Sequence, residues 1–362
     1  MSEPVGLAIV GCGDISTAYR DSLATRPDLV RLVGVFDLRS GAAERLASGI
    51  AGCHPYPDLD ALLADGDVRI VVNLTPHRSH YGVSRSALQA GKHVYTEKPL
   101  AIARKDAAEI VSLAEERGLR VACAPITWLG EATQTALKAV RNGMVGQVRV
   151  CYAEMNWARI ETWHPAPEPF YGAGVGPLTD VGVYPISILT ALLGPADRVS
   201  SFGKTVLQRR EKTNGEHFSV LSPDVIVAGL EFDNGVLARV TASFYVGPTT
   251  QQGIEIHGDE GSLHLVSSVD FASPVMFRPF GRPDGEWTPV PHVRQPPVGV
   301  EWGRGIFELV EAIEEGRPNR GEGHHGLHVV DICCSATESA QSGRPVRVMS
   351  TFAQPSPMPW AL

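Results

Sequence analysis

Short apolar runs alternate with helix-like stretches through the first third of the chain. Leu7–Val10 and most of Ile70–Leu74 are apolar at consecutive positions rather than at every second position. Such runs are typical of strands covered on both faces, as in a parallel sheet flanked by crossover helices. Because crossover connections are nearly always right-handed, we predict an α/β, doubly wound parallel sheet for residues 1–124. The predicted strands are Val5–Val10, Leu32–Phe36, Val68–Leu74, His93–Thr96 and Arg120–Ala124, and the predicted helices are Ile15–Thr25, Ala42–Ser48, Ser79–Ala90 and Arg104–Arg117.

The pattern changes after Ala124, where strand-like runs predominate, so residues 125–362 are expected to form a second domain. Asp233-Asn234-Gly235 separates two of these runs and is a strong signal of a tight hairpin. The stretch 157–177 is rich in proline, glycine and aromatic residues, which predicts a long irregular loop of the kind that often carries function. The predicted strands are Val148–Met155, Val199–Lys204, Val225–Glu231, Val236–Phe244, Gly253–His257, Ser262–Val266 and Val346–Val348, and the helices are Ala132–Asn142, Tyr184–Leu193, Gly303–Glu315 and Gly326–Ser342.

Composition narrows the class of protein. The chain has 362 residues, enough for two domains with full cores, and its 43% hydrophobic and 20% charged content is typical of globular proteins. A net charge of −8 disfavours a nucleic-acid partner, and no apolar run approaches the ~20 residues that span a membrane. The start of the chain lacks the basic region of a signal peptide. The six cysteines show neither zinc spacing nor a disulfide framework, so a cytoplasmic location is expected.

A glycine-rich turn follows the first predicted strand. In the pattern Gly11-x-Gly13-x-x-Ser16, Gly11 permits a tight turn and Gly13 lets the backbone approach a pyrophosphate. Amides at the start of the next helix, at Asp14 and Ile15, can donate to phosphate oxygens. Ser16 replaces the usual third glycine and is small enough for helix–strand packing. The turn therefore predicts a dinucleotide site, and the alternative is a plain strand–helix turn.

Asp37 ends the second predicted strand, where an acidic side chain binds the adenine ribose hydroxyls of a dinucleotide. A carboxylate there repels a 2′-phosphate, which favours NAD over NADP. Arg39 lies two residues further on and can instead stack on adenine or meet that phosphate. NADP therefore stays possible, and Asp37 can also be a simple turn aspartate.

Two motifs follow strands that end at the ligand-binding edge of an open α/β sheet. Thr75 and Pro76 turn the chain along this edge, and His80 caps or packs beside them. Glu97 and Lys98 follow the strand His93–Thr96. A partly desolvated lysine near a cation loses proton affinity, which suits acid–base chemistry on an alcohol. The alternative for Lys98 is a surface salt bridge.

Asp180 and Tyr184 lie four residues apart at the start of a predicted helix, so they share one helix face. A carboxylate and a phenol on one face can orient a substrate hydroxyl and relay its proton. The alternative for Asp180 is a helix cap.

Aromatic side chains are concentrated in the irregular loop. Trp157, Trp163, His164 and Tyr171 could form a stacking wall for a sugar ring, or could pack the loop against its own domain. Farther along the chain, a cluster of histidines lacks a third ligand with fitting spacing, so no metal site is expected. These histidines are His324, His325 and His328.

Together these motifs resemble the Gfo/Idh/MocA family, named for glucose–fructose oxidoreductase, inositol dehydrogenase and a rhizopine-catabolism protein. The resemblance covers essentially the whole chain. It rests on Gly91-Lys92-His93-Val94 leading to Glu97-Lys98-Pro99, Gly176-Pro177-Leu178-Thr179-Asp180-Val181-Gly182-Val183-Tyr184, Leu192-Leu193-Gly194-Pro195, Thr75-Pro76 and Gly343-Arg344-Pro345-Val346.

The resemblance implies a Rossmann domain followed by an α/β domain with a large open, mostly antiparallel sheet. It implies a bound nicotinamide cofactor, a substrate in the cleft between domains, and a homodimer or homotetramer formed through the open sheet. Lys98 would be the catalytic lysine, with a cis bond to Pro99, and Asp180 the substrate-side aspartate. Tyr184 occupies the position where many members carry histidine and others tyrosine, so the acid–base group stays open between Tyr184 and Lys98.

The function predicted on this basis is NAD-dependent hydride transfer to or from a secondary alcohol of a sugar, cyclitol or related polyol. One alternative is a cofactor-assisted glycosidase or lyase, in which NAD is transiently reduced and no net NADH forms. The other is a non-enzymatic sensor that binds NAD and a partner protein. Fold alone does not separate these alternatives.

Overall fold

The structure is a computed structural model that describes residues 3–281 and 285–362. The chain forms two compact units. The first runs up to Ile126 and also includes Glu301–Leu327, whereas the second contains Thr127–Val300 and His328–Leu362. The elements are, in chain order, β1 (Val5–Val10), α1 (Asp14–Leu23), β2 (Val30–Phe36), α2 (Ala42–Ala47), β3 (His54–Pro55), α3 (Leu59–Ala64), β4 (Ile70–Asn73), α4 (His80–Gln89), β5 (His93–Thr96), α5 (Arg104–Glu116), β6 (Val121–Cys123), α6 (Glu131–Arg141), β7 (Val148–Asn156), α7 (Val183–Leu193), β8 (Ala196–Lys204), β9 (Arg209–Glu211), β10 (His217–Ser219), β11 (Val225–Phe232), β12 (Leu237–Ser243), β13 (Gly253–Gly258), β14 (Gly261–Leu265), β15 (Val275–Pro279), β16 (Thr288–Pro289), α8 (Arg304–Glu314), α9 (Gly323–Ser342) and β17 (Val346–Arg347).

The first unit contains the predicted doubly wound sheet. Its six strands are all parallel, in the order β3-β2-β1-β4-β5-β6. Val10 of β1 pairs with Asn73 of β4, which in turn pairs with Thr96 of β5. Because these three residues end neighbouring strands in register, the turns that follow them meet at one edge of the sheet.

The second unit is built on a nine-stranded sheet with the order β16-β15-β14-β13-β7-β12-β11-β8-β17. All its neighbouring strands are antiparallel except β7 and β12. The hairpin predicted at Asp233–Gly235 joins β11 to β12, and Gly235 adopts the positive φ of +82° that its turn requires. Residues along β11 alternate between buried and half-buried, so one face of the sheet lies on the core and the other is open.

The structure contains elements that the sequence pattern did not predict: β3, α3, the β9–β10 hairpin, β15 and β16. They are short or polar, and so carry little periodic signal. The chain also returns to the first unit at α8, whereas the pattern places this helix in the second domain. Apolar residues of α8, among them Ile306 and Leu309, are fully buried. Within the described residues, no helix is long and apolar enough to cross a membrane.

Candidate active site

The glycine turn of the first unit has no room for a side chain at its first position. Gly11 has a φ of +98°, and a Cβ there would lie 2.7 Å from the carbonyl carbon of Leu74. Its N–H donates to the Phe36 carbonyl at 2.8 Å. At Gly13 the nearest atom to a Cβ would be a guanidinium nitrogen of Arg39, 3.9 Å away. Gly11 is thus needed by the fold, and Gly13 leaves open space at the mouth of the turn.

Helix α1 begins directly after this turn. Among the described side chains, none caps its N-terminus. The backbone N–H and the hydroxyl of Ser16 both donate to the Gly13 carbonyl, at 3.0 and 2.5 Å, and Ser16 is buried. A tight glycine turn leading into the amides of Asp14 and Ile15 fits the pyrophosphate of a dinucleotide.

Asp37 lies beside the same turn and is paired with Arg39. Its carboxylate accepts hydrogen bonds from the Cys12 N–H at 2.7 Å, the Arg39 N–H at 2.7 Å, and the Arg39 guanidinium at 3.0 Å. Burial raises the pKa of Asp37, but these hydrogen bonds outweigh it, so the pKa lies below its usual value. Arg39, whose side chain is 65% exposed, also donates to the Cys12 carbonyl. Asp37 therefore lies beside the glycine turn with its charge paired by Arg39, and its contact with a ribose stays a prediction.

The backbone of Lys98 is held by its neighbour Glu97. One Glu97 carboxylate oxygen accepts the Lys98 N–H at 3.0 Å, and the other accepts the Tyr19 hydroxyl at 2.6 Å. The Tyr19 hydroxyl also lies 3.1 Å from that of Tyr95. Burial, reinforced by Glu97 and Tyr95, raises the pKa of Tyr19 above its ordinary value, so it stays a donor. The cis bond between Lys98 and Pro99 that the family resemblance implies is present.

His80 is buried between two backbone carbonyls. Its Nδ1 lies 2.6 Å from the Pro99 oxygen and its Nε2 lies 2.7 Å from the Thr75 oxygen. Burial lowers the pKa of His80 to about 4, and the positive charge of Lys98 acts in the same direction. A neutral ring donates to one of these carbonyls at a time, and only a protonated ring satisfies both. His80 thus links the backbone on either side of the predicted nicotinamide end of the site.

Asn73, which belongs to none of the predicted motifs, shapes the turn that contains Thr75 and Pro76. Its side-chain oxygen accepts the Thr75 hydroxyl at 2.6 Å, and its amide donates to the His80 carbonyl at 3.0 Å. Asn73 is fully buried at the end of β4. The sequence signal for Asn73 is its position, since it is a polar residue at the end of an apolar strand.

In the second unit, Asp180 lies third in a π-helical turn, Leu178–Gly182, which leads directly into α7. The N-cap position is Pro177, so Asp180 is not the helix cap that the sequence left as its alternative. Asp180 is 4% exposed, and Tyr184 is half-buried. Single π-helical turns inside helices are frequently found at functional sites.

The loop aromatics occupy two different environments. Tyr171 is 1% exposed, and its hydroxyl donates to Glu161 at 2.5 Å, so it belongs to the core and offers no face to a sugar. Trp163 is 54% exposed and packs edge-on against His164, with ring centroids 5.5 Å apart. The loop-packing alternative therefore describes Tyr171, whereas Trp163 and His164 lie nearer the surface.

A buried ionic cluster anchors this loop. The Arg210 guanidinium donates to Glu161 at 2.6 Å and to Asp224 at 2.5 Å, and it lies 4.8 Å from the centre of the Tyr171 ring. All four residues are at most 5% exposed. Arg210 lies on β9, in the unpredicted polar hairpin, and no sequence signal could have linked it to the loop.

The histidine cluster does not form a metal site. His328 accepts the Ala196 N–H at 3.0 Å through Nε2, and its Nδ1 lies 3.1 Å from the Ser350 carbonyl. His324 lies 3.3 Å from Glu115. In the described part of the chain, no group of three or more histidine, cysteine or acidic residues could hold a metal ion.

Comparisons with known proteins agree with this geometry. Residues 5–124 match the family described as "Oxidoreductase family, NAD-binding Rossmann fold", and residues 133–264 match "GFO/IDH/MocA C-terminal domain". A "dTDP-3,4-didehydro-2,6-dideoxy-alpha-D-glucose 3-reductase" from Streptomyces violaceoruber is 31% identical, over 77% of this chain and 78% of that protein. "D-glucoside 3-dehydrogenase" from Escherichia coli (strain K12) is 30% identical, over 73% and 78%.

A solved structure shows the same fold. "Levoglucosan dehydrogenase, complex with NADH and L-sorbose" superimposes with a TM-score of 0.81 and 20% identity, over 96% of this chain and 99% of that one.

Proposed function

This chain belongs to the Gfo/Idh/MocA family of oxidoreductases and carries its NAD-binding Rossmann domain, and we propose that it transfers hydride between NAD and a secondary hydroxyl of a sugar, cyclitol or related polyol. Its relatives, named as a sugar 3-reductase and a glucoside 3-dehydrogenase, support this substrate class. The nicotinamide ring, when bound, supplies the hydride acceptor or donor.

The proposal rests on a series of contacts within the first unit that connects the glycine turn to the backbone next to Lys98. Gly11 packs against the backbone of Leu74 and Thr75, the Thr75 carbonyl lies against His80, and His80 lies against the Pro99 carbonyl. This chain of contacts ties the pyrophosphate turn to the residue next to Lys98. A lysine that only formed a surface salt bridge would not need such support.

Each candidate residue has a chemical role in the proposed reaction. In the oxidation direction, the carbinol C–H bond would break as its hydrogen and electron pair pass to the bound nicotinamide, the O–H electron pair would form the carbonyl double bond, and the hydroxyl proton would pass to the Lys98 amine. Asp180 and Tyr184 orient the hydroxyl and relay that proton, and Trp163 and His164 contact the sugar. For cofactor binding we propose Gly11, Gly13, Asp14, Ile15, Asp37, Arg39, Thr75, Pro76, His80, Glu97 and Lys98, of which Glu97 and His80 act through the backbone.

Substitution of Lys98 tests the proposal. We expect Lys98→Ala to keep most of its affinity for NADH, measured by fluorescence, because the other proposed contacts to the cofactor remain, and to lose about 1,000-fold or more in NADH formation across a panel of sugars and polyols. Lys105→Ala, which removes an exposed lysine of α5, is the matched control. Undiminished turnover in Lys98→Ala would contradict the assignment.

The same assay separates the two alternatives. A cofactor-assisted glycosidase or lyase would release product without any accumulation of NADH absorbance. A sensor would bind NAD and show no turnover with any sugar. NADH that accumulates in proportion to oxidised sugar supports the dehydrogenase.

We further propose a homodimer or homotetramer formed through the open face of the nine-stranded sheet. Strand register places Tyr152, Phe202 and Leu237 on this face, and they are 40%, 72% and 53% exposed. Exposed apolar side chains grouped on one face are typical of subunit interfaces. Light scattering of Phe202→Asp should show a smaller assembly than the unsubstituted chain. The cytoplasmic location stays a prediction.

A further inference from the structure

The second unit contains a hollow of about 950 Å³ that the proposed catalytic and cofactor-binding residues do not line. It opens where β7 ends, at Asn156 and Trp157, and it is bounded by the segments 247–253, 266–272 and 295–300. Its volume lies at the upper end of the range of ligand pockets, which is about 300–1,000 Å³. A single sugar ring would fill only part of it.

The lining combines one aromatic ring with uncharged polar groups. Trp157 is 40% exposed. Its backbone N–H donates to the Ser243 carbonyl, which fixes the backbone that carries the ring. Amide and hydroxyl side chains also line the hollow, among them those of Thr249, Gln251 and Gln295. An aromatic face with a few amides that both donate and accept suits the apolar face and the hydroxyls of a sugar.

The charges of the lining disfavour an anionic ligand. Its charged members are Glu154 and Asp270, and no lysine or arginine lines the hollow among the residues that the structure describes. Glu154 is 8% exposed and is paired with Arg239 at 2.5 Å, so this arginine is already engaged. A pyrophosphate or a uronate would therefore find carboxylates and no free cation in this lining.

The hollow adjoins the core that supports Tyr184. Met155 and Val269 line the hollow. Met155 also belongs to the buried cluster around Tyr171 and Phe244, and both Tyr184 and Val269 pack against that cluster. The hollow and Tyr184 thus border the same buried cluster of the second unit.

From this arrangement we propose that the hollow is a subsite for a second, neutral sugar ring, so that the substrate is a neutral glycoside or oligosaccharide rather than a nucleoside-diphosphate sugar. The inference rests on the proposed function, which it deepens. Trp157 stacks on the second ring, and Gln251 binds its hydroxyls. The ring that is oxidised contacts Lys98, Asp180 and Tyr184.

Kinetics with matched substrates test the subsite. We expect Trp157→Ala to raise KM about tenfold for the disaccharides cellobiose and maltose, with kcat changed less than twofold. KM for methyl β-D-glucoside and methyl α-D-glucoside should stay the same, and UDP-glucose should be the poorest substrate of the unsubstituted enzyme. Trp157→Phe keeps an aromatic face, so its KM for the disaccharides should lie between those of the unsubstituted enzyme and Trp157→Ala. Gln251→Ala should also raise this KM, and it tests the subsite independently if the tryptophan variants misfold.

Phe280→Ala is the matched control, since Phe280 is 79% exposed and follows the opposite end of β15 from the hollow. Equal effects of Trp157→Ala on disaccharides and methyl glucosides, or a preference for UDP-glucose, would overturn the subsite.

Binding without turnover separates the subsite from the redox assignment. Saturation-transfer NMR of cellobiose with the Lys98→Ala variant should show contacts that Trp157→Ala removes. If these contacts appear while no sugar reduces NAD, the subsite stands and the proposed redox function fails. If sugars reduce NAD while Trp157→Ala leaves both cellobiose binding and KM unchanged, the function stands and the subsite fails.

Discussion

The hydroxyl of Tyr19 donates a 2.6 Å hydrogen bond to the carboxylate of Glu97. Tyr19 lies on α1, the helix that follows the glycine turn, whereas Glu97 directly precedes Lys98. The second oxygen of the same carboxylate accepts the Lys98 N–H. The helix proposed to bind the pyrophosphate and the backbone of the proposed catalytic lysine are thus joined through one carboxylate.

Removal of the Tyr19 hydroxyl should therefore impair turnover more than cofactor binding. Tyr19→Phe leaves a partly buried carboxylate oxygen without its donor, at a cost of about 1–3 kcal/mol in the free energy of unfolding. We expect kcat to fall about tenfold with little change in the Kd for NADH. Tyr81→Phe is the matched control, because it also removes a hydrogen bond from a tyrosine hydroxyl to a glutamate, here Glu109. Equal kinetics of the two variants would show that the link does not position Lys98.

Gly11 and Gly13 should respond differently to alanine. Gly11→Ala forces a Cβ to 2.7 Å from the Leu74 backbone at a positive φ, so we expect loss of both stability and NADH binding. Gly13→Ala meets only the Arg39 guanidinium, at 3.9 Å, so the melting temperature should be nearly unchanged. Its NADH affinity should nevertheless fall at least tenfold if the pyrophosphate approaches this backbone. Unchanged affinity in Gly13→Ala would place the pyrophosphate elsewhere.

The pairing of Asp37 with Arg39 makes a prediction about cofactor choice. Asp37→Ser removes the carboxylate that holds the guanidinium, and Arg39 is then released to meet a 2′-phosphate. We expect the ratio of kcat/KM for NADP to that for NAD to rise at least tenfold. The double variant Asp37→Ser/Arg39→Ala should lose this gain. An unchanged ratio in the single variant would argue that neither residue contacts the adenine ribose.

The sequence predicts the Rossmann sheet well because consecutive apolar strands and a glycine turn are local signals. It also singles out Lys98 as a candidate catalytic residue, because the Glu97-Lys98-Pro99 motif follows a strand end, and this role stays a prediction. It does not reveal that Tyr19, 78 residues from Glu97, supports this motif. A tyrosine in an amphipathic helix gives no sign of the partner that its hydroxyl finds.

The second unit is less predictable because its specific contacts join charged residues across irregular segments. Arg210 lies in a short polar strand, and its partners Glu161 and Asp224 lie 49 and 14 residues away in sequence. Local periodicity does not record such pairs. The hollow beside Trp157 is equally nonlocal, since it is lined by four segments that are far apart in the sequence.

Buried histidines should make the protein sensitive to acid. Burial lowers the pKa of His328 to about 4, although the hydrogen bond with the Ser350 backbone and the charges of Asp331 and Asp233 act to raise it. In the unfolded chain the same group titrates near its ordinary value of about 6.5. Between these two values the unfolded state binds a proton that the folded state does not bind. The free energy of unfolding should therefore fall as the pH drops from about 6.5 to about 4, by up to about 1.4 kcal/mol per pH unit for this one group.

Urea unfolding of the His328→Gln variant between pH 4 and 7 checks this prediction. Glutamine keeps an acceptor for the Ala196 N–H and a donor for the Ser350 carbonyl, and it removes the titration. We expect the slope of the free energy of unfolding against pH to decrease by up to about 1.4 kcal/mol per pH unit, the contribution of one proton. Above pH 7 this slope should change little. His217→Gln, at an exposed position, serves as the control. If His328→Gln keeps the full slope, His328 is not the group that takes up the proton on unfolding. The acid sensitivity would then come from His80 and His93, whose pKa values burial also lowers to about 4.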